Sequence, residues 1–146
     1  MFKHLLIPTD GSTLSRKAVK AGISFAKTIG AKVTAYYALE MVQPYIVADG
    51  AVDIASLKAF EQRARERGEE HLAEVGEAAE AAGIVCEAYI TKPATPYQGI
   101  VQAAKKKKCD VIFMASHGRG ELASLVLGSV TQKVLAHSKL PVMVYR

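Results

Sequence analysis

Gly118, Gly120 and Gly128 surround an apolar patch near the C-terminus, and Ser129 follows the last of them where a helix is expected to begin. A glycine lets main-chain N–H groups approach an anion closely, and the first turn of a helix adds unpaired donors and a partial positive charge. Gly118 and the Gly128-Ser129 pair are therefore candidate jaws on a phosphate chain, with His117 and Arg119 close enough to add donors or charge. A second polar, turn-forming stretch, Pro8-Thr9-Asp10-Gly11-Ser12, follows the first apolar run. Its Asp10 is an acceptor suited to a hydroxyl or an exocyclic amine, and Ser129 can donate from its hydroxyl and its backbone. Structural duties compete for each of these residues. The glycines could simply make turns, since the stretch is neither a P-loop nor a GxGxxG opening a helix directly after a strand. Asp10 could start a turn with Gly11 or cap a helix. Ser129 and Gln132 have the spacing of a capping box. His117 has no neighbouring carboxylate in sequence to orient it as a base, and Met114 suits a core position with an edge on a pocket.

The elements that must position these residues are legible from hydrophobic period and punctuation. His4-Leu5-Leu6-Ile7-Pro8 reads as a strand, and Ser12 then caps a helix that buries Ala18, Gly22, Phe25, Ala26 and Ile29 and closes at Gly30. Residues 32–39 (KVTAYYAL) have the β-branched and aromatic content of a second strand. A connection rich in turn residues over 43–50 precedes a long helical pattern carrying Ile54, Leu57, Ala64, Leu72, Val75, Ala79 and Ala82. Gly68 is placed to bend that helix and Gly83 to end it. Residues 84–90 form a third strand. Thr95, Pro96 and Gln98 then open a helix with the chemistry of a capping box and an N1 proline. Residues 110–115 (DVIFMA) are a continuous apolar strand of the kind buried on both faces of a parallel sheet. Residues 129–138 complete the helices and 141–145 the strands.

Strictly alternating strands and helices, joined by right-handed crossovers, build a five-stranded parallel sheet with helices on both faces. The chain length of 146 residues suits one such domain. In such a sheet the ligand crevice lies outside the carboxyl ends of the strands, where neighbouring crossovers leave in opposite directions. If the first and fourth strands are neighbours, both polar stretches face that crevice.

The spacing of the small residues is also that of a known family. The nucleotide-binding members of the universal stress protein family carry a glycine, two residues, a second glycine, nine residues and then Gly-Ser or Gly-Thr. Here Gly118 is followed by RGELASLVL and then Gly128-Ser129, with Ala115 where the family has its first glycine. PTDGS, SHGRG, LGSVTQKVL and the ending LPVMVY extend the likeness over essentially the whole chain. The sequence thus resembles that family. The resemblance implies a Rossmann-like fold of the adenine nucleotide alpha hydrolase type and a small cytoplasmic stress-response protein that binds ATP. Asp10, with Pro8 and Thr9 before it, would lie by the ribose or the adenine edge, and Ala38 would offer backbone contacts to adenine. Met114 and Ala115 would border the ribose, while Gly118, Gly128, Ser129 and Val130 would hold the phosphates with His117 and Arg119 beside them. Magnesium or manganese would bridge phosphate oxygens, since such ions are usually held by phosphates and water with few protein ligands. The runner-up reading is an interaction scaffold of the same fold whose pocket takes AMP, adenosine or no nucleotide, with Ala115 as its hint.

Composition narrows the remaining classes. Apolar runs fall short of the ~18 residues that span a bilayer, and the first residues lack a secretory pattern, so a cytoplasmic protein without a membrane partner is expected. Cys86 and Cys109 have no metal-clip spacing and read as reduced packing residues. His4, His71 and His137 show no ligand spacing. The net charge of +5 favours an anionic partner in general terms. The lysine run 105–108 falls at a helix C-terminus, where cations complement the dipole, and no aromatic platform accompanies it in sequence. Direct nucleic-acid binding is not expected, and neither is rapid hydrolysis, because only Arg119 and His117 stand near a γ-phosphate. The terminal stretch Pro141, Val142, Met143, Val144 and Tyr145 is a natural edge for pairing two copies into a homodimer.

Overall fold

Alternation along each strand decides which helices it meets. Leu5 and Ile7 of β1 (His4–Pro8) join Val111 and Phe113 of β4 (Val111–Ala115) in one apolar cluster, while Leu6, Ile112 and Met114 join another on the opposite face. The first cluster is covered by α1 (Thr13–Ile29) and α2 (Ile54–Ala81), the second by α3 (Pro96–Lys106) and α4 (Ser129–His137). With β2 (Lys32–Ala38), β3 (Cys86–Thr91) and β5 (Val142–Tyr145), the strands form one parallel sheet in the order β3-β2-β1-β4-β5. This computed structural model describes residues 1–41, 53–119 and 126–146. The expected connection over 43–50 and Gly120 lie outside the described residues.

The first and fourth strands are neighbours, with Leu5 opposite Val111 and Leu6 opposite Ile112. The crossover from β1 leads outward to β2 and that into β5 leads the other way, so the switch point falls between β1 and β4. Both polar stretches therefore open at one end of the sheet.

Several local signals act as read, and others are reassigned. Ser12 caps α1 by accepting from the Ser15 amide, and Gly30 ends that helix in the left-handed region at φ 67°. Gly83, at φ 74°, closes α2 in the same way. Gly68 leaves α2 unbroken; what it supplies is close approach, since a Cβ there would stand 2.7 Å from the Tyr37 ring. Ile54 is 60% exposed, because the first turns of α2 run past the edge of the core and the buried stripe begins only at Gly68. Thr95 occupies the N-cap of α3, but its hydroxyl donates to the Gln98 side chain at 3.0 Å, so it caps no backbone amide. The N-cap of α4 is Gly128, which puts Ser129 at the first helical position and undoes the expected capping box. Gln132 instead donates to the Leu127 carbonyl at 2.6 Å.

At the opposite end of the sheet, buried His4 shares a 2.7 Å hydrogen bond with Thr34 Oγ1, and burial together with Lys32 holds its pKa below the ordinary 6.5. Burial pushes the Cys109 thiol up to about 11, which suits an unreactive packing residue.

Candidate functional site

The loop after β1 is a dense polar knot. Thr9 donates its amide to the Tyr36 carbonyl at 2.9 Å, continuing the sheet by one residue. Asp10 Oδ1 accepts from the Ser12 amide at 2.9 Å, the side-chain turn weighed for it in sequence, while the capping duty goes to Ser12. Ser15 Oγ donates to Thr9 Oγ1 at 2.9 Å and accepts from the Asp10 amide at 3.3 Å. Gly11, at φ 77°, carries no Cβ where the His71 ring packs against the loop.

Arg119 ties this knot to the end of β4. Its amide donates to Asp10 Oδ2 at 3.0 Å, its Nε to the Asp10 carbonyl at 2.9 Å and its Nη2 to the Tyr37 hydroxyl at 3.0 Å. One residue thus clasps the loop ends of β1, β2 and β4. Gly118 has a specific reason to be glycine, because a Cβ there would overlap Asp10 Oδ2. Among the described glycines only Gly11, Gly30 and Gly83 have positive φ, and Gly128 is extended at φ −62° and ψ 155°. Turn-making by left-handed backbone therefore does not account for Gly118 or Gly128.

On the far side, the Gly128 amide donates to the Ser116 carbonyl at 2.8 Å and Thr131 Oγ1 donates to the Ala115 carbonyl at 3.0 Å. These two bonds seat the N-terminus of α4 against the end of β4. The Gly128 amide, a candidate anion donor in sequence, is thus engaged by the protein itself, as is the Arg119 amide. Val130 and Thr131, in the first helical turn, lack an intrahelical acceptor for their amides by the geometry of a helix start. The positive end of the α4 dipole faces the same space. His117 Nδ1 lies 3.1 Å from Ser116 Oγ.

Between these walls is a cavity of about 260 Å³. Pro8, Thr9, Asp10, Ala38, Met114, Ala115, His117, Gly118, Arg119, Gly128, Ser129 and Val130 all line it. Sequence reasoning missed Ser15, Tyr36, Tyr37, Glu40, Pro96, Ile100 and Thr131. Tyr36 and Tyr37 belong to opposite apolar clusters and reach the crevice only because it sits across the end of the sheet. Pro96 and Ile100 sat in a helix start already recognised, and an i, i+4 pair at a helix mouth beside a crevice was an available signal. Met114 is 5% exposed and packs in the core with an edge on the cavity, as expected. Asp10 and Glu40 supply negative charge at the walls, Arg119 positive charge. Among the described residues no group of three or more His, Cys, Asp or Glu is placed to hold a metal ion.

A profile of the universal stress protein family matches residues 1–146. The chain belongs to the universal stress protein family. It is 34% identical to universal stress protein MJ0531 of Methanocaldococcus jannaschii over 146 residues, covering all of this chain and 83% of that protein. The solved structure of hypothetical protein MJ0577, from the same organism, superposes with a TM-score of 0.77 at 27% identity, covering 99% of this universal stress protein and 95% of the other. A universal stress protein solved in complex with cAMP shares the fold at 24% identity and a TM-score of 0.73, with 99% and 97% coverage. No described helix is long and apolar enough to cross a membrane.

Proposed function

We propose that this universal stress protein binds ATP in the crevice between β1 and β4 and acts as a nucleotide-dependent binding module in the cytoplasm. The observation that carries the reading is convergence. Residues from separated stretches, namely 8–10, 38, 114, 115, 117–119 and 128–130, line one cavity that the N-terminus of α4 also faces. The nucleotide named in the cAMP complex of a protein of this fold is of the same chemical class. Adenine would lie toward Ala38 and the ribose toward Asp10 and Met114. The phosphates would meet Gly118, Ser129 and Val130. Asp10 already accepts from two backbone amides. A magnesium or manganese ion would therefore be held mainly by phosphate oxygens and water, supplying charge neutralisation.

The scaffold reading keeps a specific support, since the amides of Gly128 and Arg119 already have protein acceptors. A side-by-side titration with ATP, AMP and adenosine in the presence of magnesium separates the two. ATP is expected to bind at least about tenfold tighter than adenosine, a difference of about 1.4 kcal/mol from the phosphate contacts. Equal affinity for adenosine and ATP, or no binding at millimolar concentration, rejects the phosphate site. The guanidinium of Arg119 is committed to Asp10 and Tyr37. A binding module with little turnover is the corresponding expectation.

We further place a homodimer seam on β5. The Ile112 amide donates to the Pro141 carbonyl and the Ser116 amide to the Tyr145 carbonyl. By the two-residue period, the main chain at 142 and 144 then faces outward from the sheet edge. Val144→Pro removes an outward donor while sparing the pairing with β4. Light scattering is expected to show a monomer for this variant and a dimer for the natural chain. An unchanged dimer mass moves the seam elsewhere.

A further inference from the structure

The two faces of the sheet differ in charge balance: α1 and α2 together carry eight Lys and Arg against seven Glu, close to neutral, while the α3–α4 face is basic. Half of the fourteen acidic residues lie on α2, whereas α3 and α4 contain none. Lys105, Lys106 and Lys133 stand on those two helices, and Lys107, Lys108 and Lys139 follow them directly. Among the described residues, two carboxylates beside the lysine run are already engaged. Glu87 pairs with Lys107, which holds its pKa low, and Asp110 accepts from the amides of Lys3 and His4.

The sequence shows no aromatic platform beside the lysine run, but the fold supplies one from a distant strand. Tyr89 of β3 and Tyr97 of α3 are both half-buried against the apolar cluster under α3 and α4, so both rings lie on the lysine-bearing face. The ammonium groups of Lys106 and Lys107 stand 5.9 and 4.5 Å from the Tyr89 ring centre, and that of Lys133 stands 5.6 Å from the Tyr97 ring. The His137 ring lies 4.9 Å from Tyr97. Tyr97 and Lys106 mark opposite ends of α3, roughly 13 Å apart at the rise of an α-helix. None of these side chains lines the nucleotide crevice.

We propose that the α3–α4 face binds single-stranded nucleic acid, its lysines tracking phosphates while Tyr89 and Tyr97 stack with unpaired bases. Aromatic rings flanked by cations are the combination that holds single strands without sequence preference. A duplex keeps its bases stacked internally and would leave the tyrosines unused. An anionic membrane would call for an apolar stripe among the lysines. On the described residues of these two helices, Leu135 is the large apolar side chain that stands exposed.

The test is fluorescence anisotropy of a labelled oligodeoxythymidylate of about 15 nucleotides, with the full chain, over a range of salt. Binding is expected with a Kd below about 100 µM at low salt. Lys106→Gln combined with Lys133→Gln is expected to weaken binding roughly tenfold and to reduce the log–log salt slope by about 1.4, or ~0.7 for each lost phosphate contact. Tyr97→Leu is expected to weaken it roughly tenfold with the salt slope unchanged. Tyr89→Leu provides the same readout should Tyr97→Leu fail to fold. Absence of binding overturns the proposal. So does equal affinity for the matching duplex or for phosphatidylglycerol vesicles, or displacement of the oligonucleotide by Mg-ATP, which would assign the binding to the crevice.

Discussion

Gly118→Val is expected to weaken ATP binding roughly 100-fold, or about 2.7 kcal/mol, with adenosine affected far less. The cause is local. A Cβ at 118 would occupy the position of Asp10 Oδ2, and that oxygen is held by the Arg119 amide and cannot simply swing aside. Displacing it breaks a charge-assisted hydrogen bond, of a kind contributing about 1.5–3 kcal/mol. The clasp that sets the spacing between the β1 and β4 loops loosens with it. Isothermal titration calorimetry with ATP and adenosine reads the effect. A variant that binds ATP within about threefold of the natural chain would show that Gly118 serves only the fold and that the phosphates lie elsewhere. Urea unfolding of the same variant checks that it remains folded.

Gly99→Val is expected to lower stability by about 3 kcal/mol, moving Tm down by roughly 10 °C. Gly99 sits in the first turns of α3, directly over Tyr36, whose side chain is fully buried. An added Cβ would overlap the Tyr36 hydroxyl and stand 2.6 Å from Pro93 Cγ. Tyr36 has no free direction of retreat, because its hydroxyl shares a 2.8 Å hydrogen bond with Thr91 Oγ1 and its ring packs beside Tyr89. Burial also raises the Tyr36 pKa, so the hydroxyl is a neutral partner at physiological pH. In a Tyr36→Phe background the same substitution is expected to cost less, since the overlapping oxygen is gone. A double-mutant cycle by thermal unfolding measures that coupling, and additive effects would show that the strain falls on Pro93 instead. Tyr36 also lines the crevice, so the variant carries a secondary loss of ligand affinity.

The contrast between these two glycines marks how far sequence reasoning reached. Gly118 was singled out for the approach of a ligand, yet the group that comes closest to it is the protein's own Asp10. Gly99 drew no notice, because nothing in its helical neighbourhood distinguishes it from a tolerated glycine. Its constraint comes from Tyr36, a residue of another strand. Gly68 repeats the pattern: a bend was expected from propensity, and contact with Tyr37 is what the helix uses it for. Lys106 and Lys107 tell the same story on the outer face, where the ring beneath them comes from β3.

Sequence alone determined the order and type of every described element, the caps at Ser12, Gly30 and Gly83, and Asp10, His117, Gly118, Arg119, Gly128 and Ser129 as candidates for one crevice, the other expected lining positions being what the family resemblance implied. These follow from local period, from backbone preference and from a motif whose spacing survives as a string. Tertiary structure decided which strands are neighbours, and hence that residues 8–10 and 114–119 face one another at all. It also decided which polar groups are already satisfied. The Arg119 amide is taken by Asp10, a partner far off along the chain, and the Gly128 amide by Ser116, within the same glycine-rich stretch. Hydrogen-bond occupancy and steric overlap are properties of pairs brought together by folding, so residue types do not disclose them, even where both partners share one short stretch as Ser116 and Gly128 do.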